Sequence, residues 1–181
     1  MLQITIPDRE FFDEAKQEFI VVKGATLMLE HSLISVSKWE SKWKKPFLTA
    51  KGKNFDETVD YIRCMTLNKN VDPDVYLGVT RSIVRKVNEY IDDTMTATWF
   101  REDPNKKKAN SQVITSELVY YWMISMNIPI ECEKWHLNRL FTLIRICEIK
   151  NAPSKKMKKK DVYSQYRALN SARKNKLGTS G

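Results

Sequence analysis

Cys132 and His136 are the two residues whose types and spacing come closest to a metal site. A thiolate and an imidazole four positions apart lie on one face of a helix. Zinc requires a third and usually a fourth ligand, but the only other histidine is His31 and no Cys-x-x-Cys pair occurs. The sequence therefore favours core packing for Cys132 and a polar role for His136, and it predicts no bound metal.

Other motifs that could support catalysis are incomplete. Residues 51–54 (KGKN) have the outline of a phosphate-binding loop, but the upstream glycine and the hydroxyl residue after the lysine are missing, so we interpret them as a turn before a helix. Helix caps and solvated faces explain the neighbouring carboxylates Asp92-Asp93 and Asp72 with Asp74. No Gly-x-Ser-x-Gly, His-Glu-x-x-His or Gly-x-Gly-x-x-Gly motif occurs. Nothing in these motifs requires an active site or a cofactor, so we predict a protein that is not an enzyme, with an enzyme of unfamiliar active site as an alternative.

Five tryptophans are a large number for the nearly neutral first 150 residues. Two interpretations remain open: packing between helices, or a groove that accepts a helix of another protein, because Trp and Tyr anchor many interfaces. Trp39 and Trp43, one helical turn apart among lysines, are predicted to be exposed at a partner-binding surface, together with Lys42 and Lys45. The residues predicted to be structural are Trp122, Trp135 and Leu140.

Nearly all of the formal net charge of +9 lies in residues 151–181, which contain nine Lys or Arg and a single acid. The first 150 residues hold 22 basic and 21 acidic side chains. The basic tail could bind nucleic acid through its phosphates, bind an acidic protein surface, or act as a solubilising end. Its composition favours a protein partner or no partner over nucleic acid. The candidate contact residues are Lys155, Lys156, Lys158, Lys159, Lys160, Arg167, Arg173 and Lys174.

The N-terminal pattern predicts a small β element. Residues 2–6 alternate apolar and polar side chains before Pro7, which is typical of a half-buried strand. Residues 18–22 and 25–30 are rich in β-forming types and meet at Lys23-Gly24, which predicts a hairpin or small sheet.

Helix signals dominate the rest of the chain. Ser37 with Glu40 has capping-box spacing and predicts a helix that carries both Trp39 and Trp43 and ends at Pro46. Asn54 with Glu57 predicts a second helix in the same way.

Asp72-Pro73-Asp74 predicts the start of a third helix, because it combines a cap, a proline at the first position and an acid near the helix dipole. Further helices are predicted over 110–126, over 131–149 and within the tail. The expected fold is mainly α, with about five helices, a small N-terminal β-hairpin or sheet (1–32), a helical core (33–150) and a basic, partly helical tail (151–181). The apolar stripe of the third helix is Tyr76, Val79, Ile83, Val87 and Tyr90.

Composition sets the broad class of the protein. With 181 residues, 42% apolar and 29% charged, the chain suits one globular domain plus a tail. Three cysteines, each alone in an apolar stretch, predict reduced thiols in a cytosolic protein. Residues 1–8 lack the features of a signal peptide and no stretch approaches 18 apolar residues, so we expect neither export nor membrane insertion.

Several short strings in the chain are distinctive as a set. They are EHSL at 30–33, SKWESKW at 37–43, DYIRCM at 60–65, MTAT at 95–98, YYWM at 120–123, NIP at 127–129 and KWHLNRL at 134–140. Together with ALN at 168–170 and KLGTSG at 176–181, they resemble the tail assembly chaperones of long-tailed double-stranded DNA phages. The resemblance covers residues 25–181.

This resemblance implies a non-enzymatic assembly factor that acts in the host cell cytoplasm and is absent from the finished virion. Such proteins bind the long, helical tape measure protein, keep it soluble and help tail tube subunits polymerise around it. The family often makes a second, longer product by programmed ribosomal frameshifting, and a chain ending at Gly181 would be the short form.

The implied partners are therefore the tape measure protein and the major tail tube protein. Self-association is compatible with this function, whereas nucleic-acid and membrane binding are not expected. The alternative function is that of a small nucleic-acid-binding regulator acting through the basic tail.

Overall fold

The computed structural model describes residues 1–14, 17–49, 52–100, 112–152 and 159–178. The chain divides into two compact units, Met1–Glu148 and Ile149–Gly181. The predicted mainly α class is confirmed, with six α-helices and two 3-10 helical turns in the described residues. The strands are β1 (Leu2–Ile6), β2 (Arg9–Asp13), β3 (Glu18–Val22) and β4 (Ala25–Leu29), and the helices are α1 (Leu33–Trp43), α2 (Phe55–Met65), α3 (Arg81–Asp92), α4 (Ser116–Ser125), α5 (Leu137–Asn151) and α6 (Lys159–Leu177).

The four strands form one interrupted antiparallel ribbon. β1 pairs with β4 and β2 pairs with β3, and both pairs keep the same register. A small sheet therefore forms as predicted, but no hairpin joins β3 to β4, because Gly24 lies in the gap opposite Pro7 rather than in a turn. A Cβ on Gly24 would clash with the carbonyl oxygen of Ile6, so only glycine fits there. The sequence did not predict β2, because this strand has only two apolar residues and charged residues flank them on both sides.

Helix α1 begins four residues before the predicted cap. Its cap is Ser32, whose hydroxyl accepts from the backbone N–H of Ser35, while the Ser35 hydroxyl accepts from the N–H of Ser32. The predicted start at Ser37 is wrong, because this capping box has serine where the usual pattern has Glu or Gln. The predicted start of α2 is confirmed, because Asn54 and Glu57 form the expected reciprocal cap.

Two helices predicted to be continuous are interrupted. The third begins as a 3-10 turn at Pro73–Gly78, and Thr80 then caps α3. All five residues of its predicted stripe are nevertheless buried. The helix predicted over 131–149 likewise divides into a 3-10 turn at Ile130–Lys134 and α5. His136, between the two, pairs with Ser32 as an isolated β-bridge.

The ribbon and the helices of the first unit share one hydrophobic core. In the described part of the chain, no helix is both long and apolar enough to cross a membrane. The fully buried side chains include Ile6, Leu27, Leu29, Leu33, Trp39, Ile62, Met65, Met123, Leu137 and Leu140.

A candidate partner-binding groove beside Trp43

Trp39 is part of the core. It is 0% exposed, its indole N–H donates to the Glu57 carbonyl oxygen at 2.8 Å, and its ring meets Phe47 edge-on at 5.1 Å between centroids. The prediction that Trp39 is exposed is therefore wrong. The physical reason is that this face of α1 packs against α2, so the more central of the two tryptophans is covered.

Trp43, at the end of α1, is only half-buried. Its indole N–H donates to Asp60 Oδ2 at 2.8 Å, and Lys42 pairs with the other oxygen of the same carboxylate. Lys45 pairs with Glu57. The hydrogen bond from Lys45, followed by that from the Asn54 N–H, lowers the pKa of the Glu57 carboxyl. Both lysines predicted as partner contacts therefore bind carboxylates of α2, although their side chains remain about half exposed.

The Trp43 groove is a cavity of about 320 Å³ that opens beside this pair of helices. Phe55, at the start of α2, is 50% exposed, and Leu77, in the 3-10 turn, is 55% exposed. The guanidinium of Arg63 lies 4.9 Å from the centre of the Tyr76 ring. The side chains that form the groove are Lys42, Trp43, Phe55, Asp56, Val59, Asp60, Arg63, Tyr76 and Leu77.

Sequence reasoning missed Phe55 and Leu77. Leu77 lies beside Tyr76 but outside the predicted buried stripe, and Phe55 is the first residue of α2, on the side away from the core. The sequence signal that could have identified them is a large apolar residue outside an amphipathic stripe. The groove can hold apolar side chains of a partner.

A buried polar cluster lies elsewhere in the first unit. His31 Nδ1 is 2.5 Å from the Tyr61 hydroxyl, and the His31 and His136 rings meet at 5.1 Å. His136 Nε2 lies 3.0 Å from the carbonyl oxygen of Tyr90. Burial, then the positive charges of His136 and Lys53, lowers the pKa of His31 to about 3. This cluster joins β4, α2, α3 and the start of α5.

The metal pair suggested by spacing does not share a helix face. Cys132 lies in the 3-10 turn and His136 in the β-bridge that follows it. Within the described ranges, no group of three His, Cys, Asp or Glu residues could hold a metal ion. Cys64 lines a different cavity from the Trp43 groove, and burial raises the pKa of its thiol to about 11, which makes it a poor nucleophile.

The basic tail residues fall in two groups. Lys159, Lys160, Arg167, Arg173 and Lys174 belong to α6, where Arg167, Arg173 and Lys174 are exposed. Large apolar side chains of the same helix are exposed as well, among them Tyr163, Tyr166, Leu169 and Leu177. The predicted contacts Lys155, Lys156 and Lys158 lie outside the described residues.

Comparisons of this chain with protein-family models, with curated proteins and with solved structures find no match.

Proposed function

We propose that this protein is a tail assembly chaperone of a long-tailed double-stranded DNA phage. It binds the tape measure protein in the host cell cytoplasm, keeps it soluble and promotes polymerisation of the tail tube around it, and it leaves before the virion is complete. The strings that resemble this family support the identity. The Trp43 groove supports the mode of action, which requires no catalytic step.

The observation that carries the proposal is the exposure of Phe55 and Leu77 around the Trp43 groove. The tape measure protein is long and helical, and before the tail tube surrounds it, its exposed apolar faces would aggregate. A groove with apolar walls can cover such a face. One small groove binds weakly, so many copies along one tape measure protein give strong but reversible shielding, which tube subunits can displace.

Co-expression tests this function directly. The tape measure protein encoded by the same phage is expressed alone and together with this protein, and the soluble fraction is measured after centrifugation. We expect an insoluble tape measure protein when it is alone, and a soluble complex that co-purifies when both are present. A tape measure protein that stays insoluble with this partner would contradict the proposal.

The basic tail would then contact acidic surfaces of the tape measure or tube protein.

The exposed Tyr163 and Tyr166 beside Arg167 favour a second candidate, binding of nucleic acid by stacking and phosphate contacts. A gel-shift titration over a range of salt concentrations separates the two. Tight binding that falls steeply with salt and disappears without residues 151–181 would favour the regulator.

A further inference from the structure

Charged residues of the Trp43 groove are arranged along one line of α2. Asp56 and Arg63 are both exposed and stand seven residues apart, which is two helical turns or about 10.5 Å along the axis. Asp60 lies between them, but Lys42 and Trp43 already occupy its carboxylate. Among the ion pairs of the described residues, none involves Asp56 or Arg63. The groove therefore offers a negative charge at one end and a positive charge at the other.

The apolar side chains between these charges suit a helical partner. Phe55 and Val59 are one turn apart on α2, and Trp43 and Leu77 come from the neighbouring elements. An amphipathic helix presents anchors at matching i, i+3 and i+4 positions. A volume of about 320 Å³ takes such anchoring side chains rather than the helix backbone.

We propose that the Trp43 groove selects an amphipathic helix that carries an acidic residue followed, seven positions later, by a basic residue. When the partner helix runs antiparallel to α2, which places opposite ends of the two helix dipoles side by side, its acid meets Arg63 and its base meets Asp56. A base-first helix would meet the same two charges only by running parallel to α2, which places like ends of the dipoles together. This order also places the acid towards the N-terminus of the partner helix and the base towards its C-terminus, where the helix dipole favours them. The inference rests on the proposed function, because it defines the segment that the chaperone would cover.

Two synthetic peptides of identical composition test this charge order. Both are net-neutral, helical and about 21 residues long, with the same apolar face; one has the acid first and the other has the base first. Binding to the full-length protein is measured by isothermal titration at physiological salt. We expect the acid-first peptide to bind about fivefold more tightly, the size expected for two partly exposed ion pairs.

A charge-reversed protein supplies the decisive comparison. In the double variant Asp56→Lys, Arg63→Glu, the preference should invert. The matched control reverses an exposed pair on α3, in the double variant Arg85→Glu, Glu89→Arg, and should keep the wild-type preference. Circular dichroism melts verify that each variant folds. Equal binding of both peptides, absence of binding, or an unchanged preference in the Asp56/Arg63 variant would overturn the inference.

The outcomes also separate this inference from the proposed function. If neither peptide binds but the tape measure protein is solubilised, the charge order is wrong and the chaperone function stands. If the acid-first peptide binds with inversion in the variant, but the tape measure protein stays insoluble, the groove specificity stands and the chaperone function fails.

Discussion

The environment of His31 strongly lowers the pKa of its imidazole. An imidazole with a usual pKa of about 6.5 is held neutral by burial next to Tyr61 and a second imidazole, and its pKa falls to about 3. The folded state binds this proton less well than the unfolded state does, so protonation of His31 favours unfolding. The stability that the folded state gains by keeping His31 neutral is therefore complete above pH 6.5. It is lost as the pH falls from 6.5 towards 3.

We therefore predict that the free energy of unfolding falls by about 2 kcal/mol between pH 7 and pH 5 through His31 alone. Urea denaturation at a series of pH values measures it. The His31→Gln variant is the control, since it should show a smaller loss over this range. The same pH dependence in the variant and the wild type would contradict this account of His31.

Truncation of a core ring and truncation of a groove ring should change the free energy of unfolding by different amounts. Trp39→Ala removes a fully buried ring and should lower the free energy of unfolding by about 3–5 kcal/mol. Phe55→Ala, in the Trp43 groove, removes a half-exposed ring and should cost about 1 kcal/mol or less. Urea denaturation of both variants measures the difference, and comparable losses would show that the groove residue is part of the core.

At the scale of elements, Glu40 links distant parts of the chain. Its carboxylate accepts the backbone N–H of Phe47 at 2.7 Å and that of Ser116, the first residue of α4, at 2.7 Å. Thr115 makes no side-chain cap bond, so α4 is capped by a carboxylate from α1.

Glu40→Ala would leave two buried N–H groups without acceptors, and we predict a loss of about 3 kcal/mol in the free energy of unfolding. Hydrogen exchange at the Ser116 amide should accelerate more than exchange in α2. Glu40→Gln, which keeps one amide oxygen as acceptor, should be intermediate. Unchanged exchange at Ser116 in the Ala variant would contradict this capping role.

The sequence predicted elements whose signals are local. The reciprocal cap of Asn54 and Glu57 lies within four residues, so the start of α2 was predictable. The stripe from Tyr76 to Tyr90 was predictable as a buried face, but the break at Thr80 was not, because tertiary packing of the 3-10 turn decides it. Pairing of β1 with β4 across an intervening ribbon is equally non-local.

The candidate site was less predictable than the fold. The exposure predicted for Trp39 was wrong, because the pattern of one helix does not say which face a second helix covers. The Trp43 groove combines three segments, the end of α1, the outer side of α2 and the 3-10 turn. Their juxtaposition depends on how the helices pack, which residue spacing does not encode.

At the scale of the whole molecule, charge and core are separated along the sequence. Ile144 is the last buried hydrophobic residue in the part of the chain that the structure describes, whereas most of the net charge follows residue 150. We predict that a chain truncated after Ala152 folds and keeps its melting temperature, as measured by circular dichroism. Its binding to the tape measure protein should lose salt dependence relative to the full chain, as measured by titration at low and high salt. A large fall in melting temperature would contradict this separation.

The most direct test of the central claim is the fraction of tape measure protein held in solution by variants of the Trp43 groove. The double variant Phe55→Glu, Leu77→Glu is compared with Tyr121→Glu, Ile124→Glu, which changes exposed apolar residues on α4. We predict that the groove variant loses most of the solubilising activity while remaining folded, and that the α4 variant keeps it. Full activity in the groove variant, or loss of activity only in the α4 variant, would contradict the claim that this groove shields the partner.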